Sequence, residues 1–207
     1  MDGDLVSASY FKMDDLLKLQ AIAQEYPQTV VFYYPDQTDA SNPAYYLGLS
    51  DERAAEYGVR YRLRPVCVRE IPDEPYIGVV VATDGGPEVV EQIRSRIATE
   101  IPGLDLVQTF PGWCDILPHG VNKASGLHVL ERELGVSSDE VVVFGDAEND
   151  LALFDEVENA VAVANATPAA KAAARWHVGA CKDDGVALAM TQLAMAHRTG
   201  TLPDFMR

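Results

Sequence analysis

Cysteine is sparse in this 207-residue chain: Cys67, Cys114 and Cys181 are odd in number, widely spaced and form no C-x-x-C. A disulfide framework and a zinc cluster are thereby excluded, and reduced thiols in a cytoplasm fit. Positive charge is also short, with 16 Lys and Arg against 32 Asp and Glu, for a formal charge of −16. Such a surface cannot displace counterions from a nucleic-acid backbone, so non-specific nucleic-acid binding is not expected. A phosphorylated ligand stays admissible if a divalent cation sits between it and the acids. No apolar run approaches a membrane span, and the acidic opening MDGDLVSASY has no basic, apolar leader pattern. The expected compartment is the cytoplasm. The Asn165-Ala166-Thr167 sequon, without a secretory leader, reads as chance.

What is present divides in two. Leu16, Leu19, Ala23 and Tyr26 recur at helical spacing behind Asp14 and Asp15, acids that the helix dipole favours at its start. Pro27 stops that helix, TVVFYY reads as a strand and PDQTDASNPA as a loop. VRYRLRPV then alternates strictly, predicting a strand with Val59, Tyr61 and Leu63 on one face and Arg60, Arg62 and Arg64 on the other. YIGVVVATD, a helix opened by Gly86-Pro87, and LDLVQTF follow. This half is expected to be an α+β domain over residues 1–113, a mixed sheet with helices on one face. From 114 to 207 the rhythm changes to helices alternating with short, wholly apolar strands: a helix near 123–134 ending at Gly135, VVVF, a helix near 149–157, AVAVA, a helix capped by Thr167-Pro168, WHVGAC and a last helix. That pattern predicts an α/β domain, a parallel sheet covered by helices on both faces, with the join near 113–120.

The chemistry concentrates in VVVFGDAENDLALF. Ligands of open parallel sheets sit outside the carboxyl ends of the strands, and the pattern places Asp146 there, after a turn that Gly145 permits. Asn149 and Asp150 follow in what reads as the first turn of the next helix, where free N–H groups attract anions. A carboxylate at a strand end beside such a helix start suits a Mg²⁺-bound phosphate. Equally, Asp146 could merely make the turn and Asn149 or Asp150 merely cap the helix. Upstream, Asn122 is a plausible N-cap that sets Lys123 at the very start of a helix. The helix dipole opposes a lysine there unless an anion shares the site, so Lys123 either neutralises a phosphoryl group or is a solvated surface residue.

Together, DILPHGVNKASGL, VVVFGDAENDLALF, AVAVANATPAAKAAA and DDGVALAM resemble, in order and spacing, the C-terminal half of the haloacid dehalogenase-like phosphatases, Cof-type branch. The likeness is close over 115–190 and, over the first 113 residues, extends to element order alone. It implies a Rossmann-like core with an inserted, mobile α/β cap, and hydrolysis of a small phosphomonoester such as a sugar phosphate through an aspartyl-phosphate with one Mg²⁺. It further implies that Lys123 contacts the phosphate, Asp146 ligates Mg²⁺, Asn149 helps hold the phosphate or the metal's shell, and Asp150 orients these groups. Asn165 is then either a lining residue or a loop-former. Arg60, Arg62 and Arg64 either select substrates with a second anionic group or form a solvated face. His119 is either a cleft or a hinge residue.

One part of the pattern is missing. The family's nucleophile is the first Asp of D-x-D-G-T at the end of an apolar strand, and its second Asp is the general acid/base. The only D-x-D here, Asp2-Gly3-Asp4, has one residue before it and Leu5-Val6 in place of G-T, so it is not a match. The family's next Ser/Thr motif has no counterpart, and DGDLVSASYF resembles a turn and strand that come after both. The expectation is therefore a chain that starts inside the family's pattern and has little or no turnover by itself. A longer natural protein whose start lies upstream of this methionine, a complementing N-terminal segment or a homo-oligomer could complete it. The alternatives are a non-catalytic module binding phosphate or a metabolite, and phosphoryl transfer of the phosphomutase kind.

Overall fold

A computed structural model of the chain describes residues 6–36 and 43–207. Asp2 and Asp4 lie outside the described residues, as does most of the expected loop PDQTDASNPA. The chain divides into two compact units, Met1–Val121 and Asn122–Arg207.

The first unit contains α1 (Met13–Gln24), β1 (Thr29–Pro35), β2 (Ala44–Tyr46), α2 (Asp51–Tyr61), β3 (Pro65–Cys67), β4 (Tyr76–Thr83), α3 (Gly86–Glu100), β5 (Leu104–Phe110) and β6 (Trp113–Pro118). The strands form one sheet in the order β3-β2-β1-β4-β6-β5, with β2 and β3 parallel and the other neighbours antiparallel. Residues 6–12 lead into α1 without forming the expected strand.

Alternation along β1 and β4 builds two cores. Val31, Tyr33, Val79 and Val81 pack under α1 and α3, against Leu16, Leu19, Ile93 and Ile97. Their neighbours Val30, Phe32, Val80 and Ala82 pack on the opposite face with Ala54 and Tyr57 of α2. Helices thus cover both faces where the sequence pattern had suggested one. The reason is the unbroken apolar run in β4, which presents apolar side chains both ways.

The expected strand over 59–66 is mostly helix. Ser50 caps α2 by accepting from the Arg53 N–H at 3.4 Å, and Ala54, Tyr57 and Tyr61 pack on the sheet at helical spacing. Val59, expected on the apolar strand face with Tyr61 and Leu63, is 85% exposed. Arg60 lies in the last helical turn with its guanidinium 5.1 Å from the Tyr61 ring centroid, and Arg62 is the left-handed C-cap with φ 56°. Arg64 follows in the connection to β3, where its carbonyl accepts from the Ala44 N–H at 2.9 Å. The three arginines therefore do not share a strand face.

Deep in the first core, the Tyr33 hydroxyl donates to Gln20 Oε1 at 2.7 Å, and burial pushes that hydroxyl well above its ordinary pKa. Tyr33→Phe removes the donor and leaves a buried amide oxygen short of a partner, a loss of roughly 1–3 kcal/mol. Urea unfolding should show a lower midpoint with an unchanged slope; a midpoint equal to wild type would contradict this.

The expected boundary at 113 moves. β6 pairs with β4 through Ala82–Trp113 to Val79–Ile116 and with β5 through Leu106–Ile116, so residues 113–118 belong to the first sheet. The second unit holds α4 (Lys123–Leu134), β7 (Val142–Gly145), α5 (Leu151–Glu156), β8 (Asn159–Val163), α6 (Pro168–Ala173), β9 (Trp176–Val178) and α7 (Gly185–Thr199). Its strands are parallel in the order β7-β8-β9. Leu127, Val143, Phe154, Ala160, Ala162 and Ala170 share its core. Among the described residues β7 pairs with β8 alone, and Val142 and Phe144 are half-buried. Among the described residues no helix is long and apolar enough to cross a membrane.

Candidate active site

Parallel pairing brings the carboxyl ends of β7, β8 and β9 to one edge of the sheet, and the site grows from the first of them. After Gly145 the chain makes a 3-10 turn, Glu148–Asp150, before α5 starts at Leu151. The expected helix start at Asn149 is thus a tighter turn, and the six-residue α5 offers no extended row of free N–H groups. Asp150 does not cap α5 either. Its carboxylate folds back, and Oδ2 accepts from the Asp146 N–H at 2.7 Å and from the Ala147 N–H at 3.1 Å. Its other oxygen, Oδ1, pairs with Lys123 Nζ. The Asp150 side chain is only 3% exposed, a cost for an ionised group that these three donors offset.

Gly145 is what lets this side chain fold back. A Cβ there would sit 2.5 Å from Asp150 Cγ, with no room for either group. The backbone of Asp146 is held from its other side as well, since its carbonyl accepts from the Thr167 N–H at 2.8 Å. Among the described residues the Asp146 carboxylate, exposed at the strand end, has no partner.

Lys123 opens α4, where Asn122 and Ser125 form a reciprocal cap: Asn122 Oδ1 accepts from the Ser125 N–H at 2.9 Å, and Ser125 Oγ accepts from the Asn122 N–H at 3.0 Å. The anion that a lysine needs at a helix start is Asp150, 27 residues away in sequence. With half of its side chain exposed, the Lys123 ammonium keeps donors free for a second anion. Asn149, half-buried on the 3-10 turn, lies three residues after Asp146. The structure therefore brings Lys123, Asp146 and Asp150 into one connected site with Asn149 beside them. Arg60, Arg62 and Arg64 belong to the other unit. His119 also stays with the first unit, its Nδ1 3.1 Å from both carboxylate oxygens of Asp105.

Sequence reasoning marked Thr167 only as a helix cap, without the hold of its backbone N–H on Asp146, and passed over Ser125. N-x-x-S was a local signal for the second of them. Asn165 turns out to tie loops together, its Oδ1 accepting from the Cys181 N–H at 2.9 Å.

A hard divalent cation fits the free Asp146 carboxylate. Mg²⁺ takes one or two carboxylates and completes its shell with water and phosphate oxygens. Among the described residues no three His, Cys, Asp or Glu side chains gather into a closed cage, so Asp146 would be a partial shell. Asp150 thus links the Lys123 ammonium to the backbone of Asp146.

Known proteins match this architecture. The sequence model of the haloacid dehalogenase-like hydrolases matches residues 1–190. The stress response protein YhaX of Bacillus subtilis (strain 168) is 31% identical over 134 residues, which is 64% of this chain and 46% of that protein. The 5-amino-6-(5-phospho-D-ribitylamino)uracil phosphatase YbjI of Escherichia coli (strain K12) is 34% identical over 100 residues, 48% of this chain and 37% of that protein. The matched stretches thus span less than half of these two relatives. Among solved structures, the subclass IIB sugar phosphatase BT4131 shares the fold at TM-score 0.76 and 16% identity, over 93% of this chain and 70% of that one. With a family match over residues 1–190, nearly its whole length, this chain belongs to the haloacid dehalogenase-like hydrolases.

Proposed function

We propose that this chain forms the cap and the C-terminal part of the core of a Mg²⁺-dependent phosphatase acting on a small phosphomonoester, a sugar phosphate or similar metabolite. The observation that carries the reading is the strand-end site: a free Asp146 carboxylate beside a Lys123 ammonium held by buried Asp150. In this reading Lys123 and Asn149 bind the phosphoryl oxygens, and Asp150 fixes Lys123 and the backbone of Asp146. Asp146 would hold Mg²⁺, which supplies charge neutralisation at the phosphoryl group when bound.

The nucleophilic carboxylate comes from a D-x-D-G-T strand that these 207 residues do not contain. Such a strand fits the open edge of β7, because a parallel neighbour there would bring its carboxyl end next to Asp146. Its first carboxylate would attack phosphorus while its second Asp protonates the departing alcohol; water, giving its proton to that same Asp, would then cleave the aspartyl-phosphate to release inorganic phosphate and restore the carboxylate.

The test is hydrolysis of p-nitrophenyl phosphate by the purified chain, with and without Mg²⁺, and after co-expression with an N-terminal D-x-D-G-T segment from a relative. The chain alone should stay at background. The complemented protein should turn over with Mg²⁺ and lose at least about 100-fold in Asp146→Ala. Robust Mg²⁺-dependent turnover by the chain alone would sink the complementation reading. A second reading, phosphate or metabolite binding without turnover, draws on the same lack of a metal cage among the described residues. It predicts phosphate binding that Lys123→Met abolishes, with no hydrolysis even after complementation.

A further inference from the structure

We infer that Asn165 is a positioning residue that holds Asp146 in place through the loop following β8. The parallel order β7-β8-β9 sets the loops after these strands side by side. Asn165 Oδ1 accepts from the Cys181 N–H at 2.9 Å, fastening the loop after β8 to the one after β9. Two residues later the Thr167 N–H donates to the Asp146 carbonyl at 2.8 Å, fastening the same loop to the end of β7. Between the two ties, Ala166 is buried and its N–H donates to the Val163 carbonyl at 2.9 Å. Residues 163–167 thus form a short closed turn that is anchored on one side by Asn165 and carries the donor for Asp146 on the other.

The direction of the Asp146 carboxylate is set by its own backbone, which Asp150 grips at the N–H and Thr167 at the carbonyl. Freeing Asn165 takes the outer anchor from the turn that presents Thr167. Asn165 touches neither Asp146 nor Lys123 in this network; it acts through the loop.

Backbone hydrogen exchange on the 207-residue chain tests the coupling directly, comparing wild type with Asn165→Ala and with Asn165→Asp, which keeps an acceptor for Cys181. In Asn165→Ala the Cys181 and Thr167 amides should exchange about tenfold faster, the scale of one lost hydrogen bond. The β8 amide of Val161 should not change, and Asn165→Asp should restore both rates. Faster exchange at Cys181 with wild-type protection at Thr167 would overturn the inference, and so would equal loss at Val161, which would mean general destabilisation.

A Mg²⁺ titration followed at the Asp146 amide gives a second readout, and this arm alone rests on the proposed metal site. Asn165→Ala should weaken the apparent affinity about threefold, less than losing a partner of the ligand itself. A wild-type chain whose Asp146 amide ignores Mg²⁺ would refute the metal reading, and the exchange rates would still decide the role of Asn165.

Discussion

Asp150→Ala should destabilise the second unit by about 3 kcal/mol. The substitution strips the acceptor from two backbone N–H groups, those of Asp146 and Ala147, and removes the partner of Lys123. Hydrogen bonds to a charged group are worth roughly 1.5–3 kcal/mol each. The lysine contributes little to the total, because half of its side chain is exposed and water replaces the carboxylate. The two N–H groups dominate the loss. Asp150→Asn should rescue only part of it: one amide oxygen cannot serve both sides, and the NH₂ group must face either the ammonium or the two N–H donors. Urea unfolding followed by Trp176 fluorescence, in a Trp113→Phe background so that only the second unit reports, measures the change. A loss below about 1 kcal/mol would show that water satisfies those N–H groups without the carboxylate.

Gly145→Ala should cost about as much, for a steric reason. The added methyl would sit 2.5 Å from Asp150 Cγ and 2.6 Å from its Cβ and Oδ2. Asp150 cannot swing away without releasing the same donors, so the methyl converts directly into lost bonds or displaced backbone, roughly 2–3 kcal/mol. The cause is room and not backbone conformation, because Gly145 is not among the residues with positive φ. A double-mutant cycle separates the two. In an Asp150→Gly background, where the three nearest atoms are gone, the further cost of Gly145→Ala should fall below about 1 kcal/mol. Additive costs would place the origin of the Gly145 effect elsewhere in β7.

These two residues also show how differently parts of the molecule could be read in advance. G-D-x-x-N-D pointed to a site after a strand, and Asn122 and Thr167 announced their helices as N-caps, because capping and strand-end turns are local chemistry. The arginine row was misread for an equally local reason. Six alternating residues satisfy a strand template, while the helix is decided by Ser50, Ala54 and Tyr57, which lie upstream of the row. β6 was assigned beyond the first unit because its partners β4 and β5 are set by pairing, which no spacing along the chain reveals.

The sequence by itself determined the alternation that makes a parallel sheet, the place of Asp146 at a strand end and the family of the fold, since these follow from apolar runs, caps and short motifs. Only the tertiary structure decided which groups meet: Lys123 with Asp150, Thr167 with Asp146, and Asn165 with Cys181. Those bonds join segments that are adjacent only because parallel strands carry their loops to one edge of the sheet. Side chains and backbone groups there select partners by distance across that edge and not by separation along the chain.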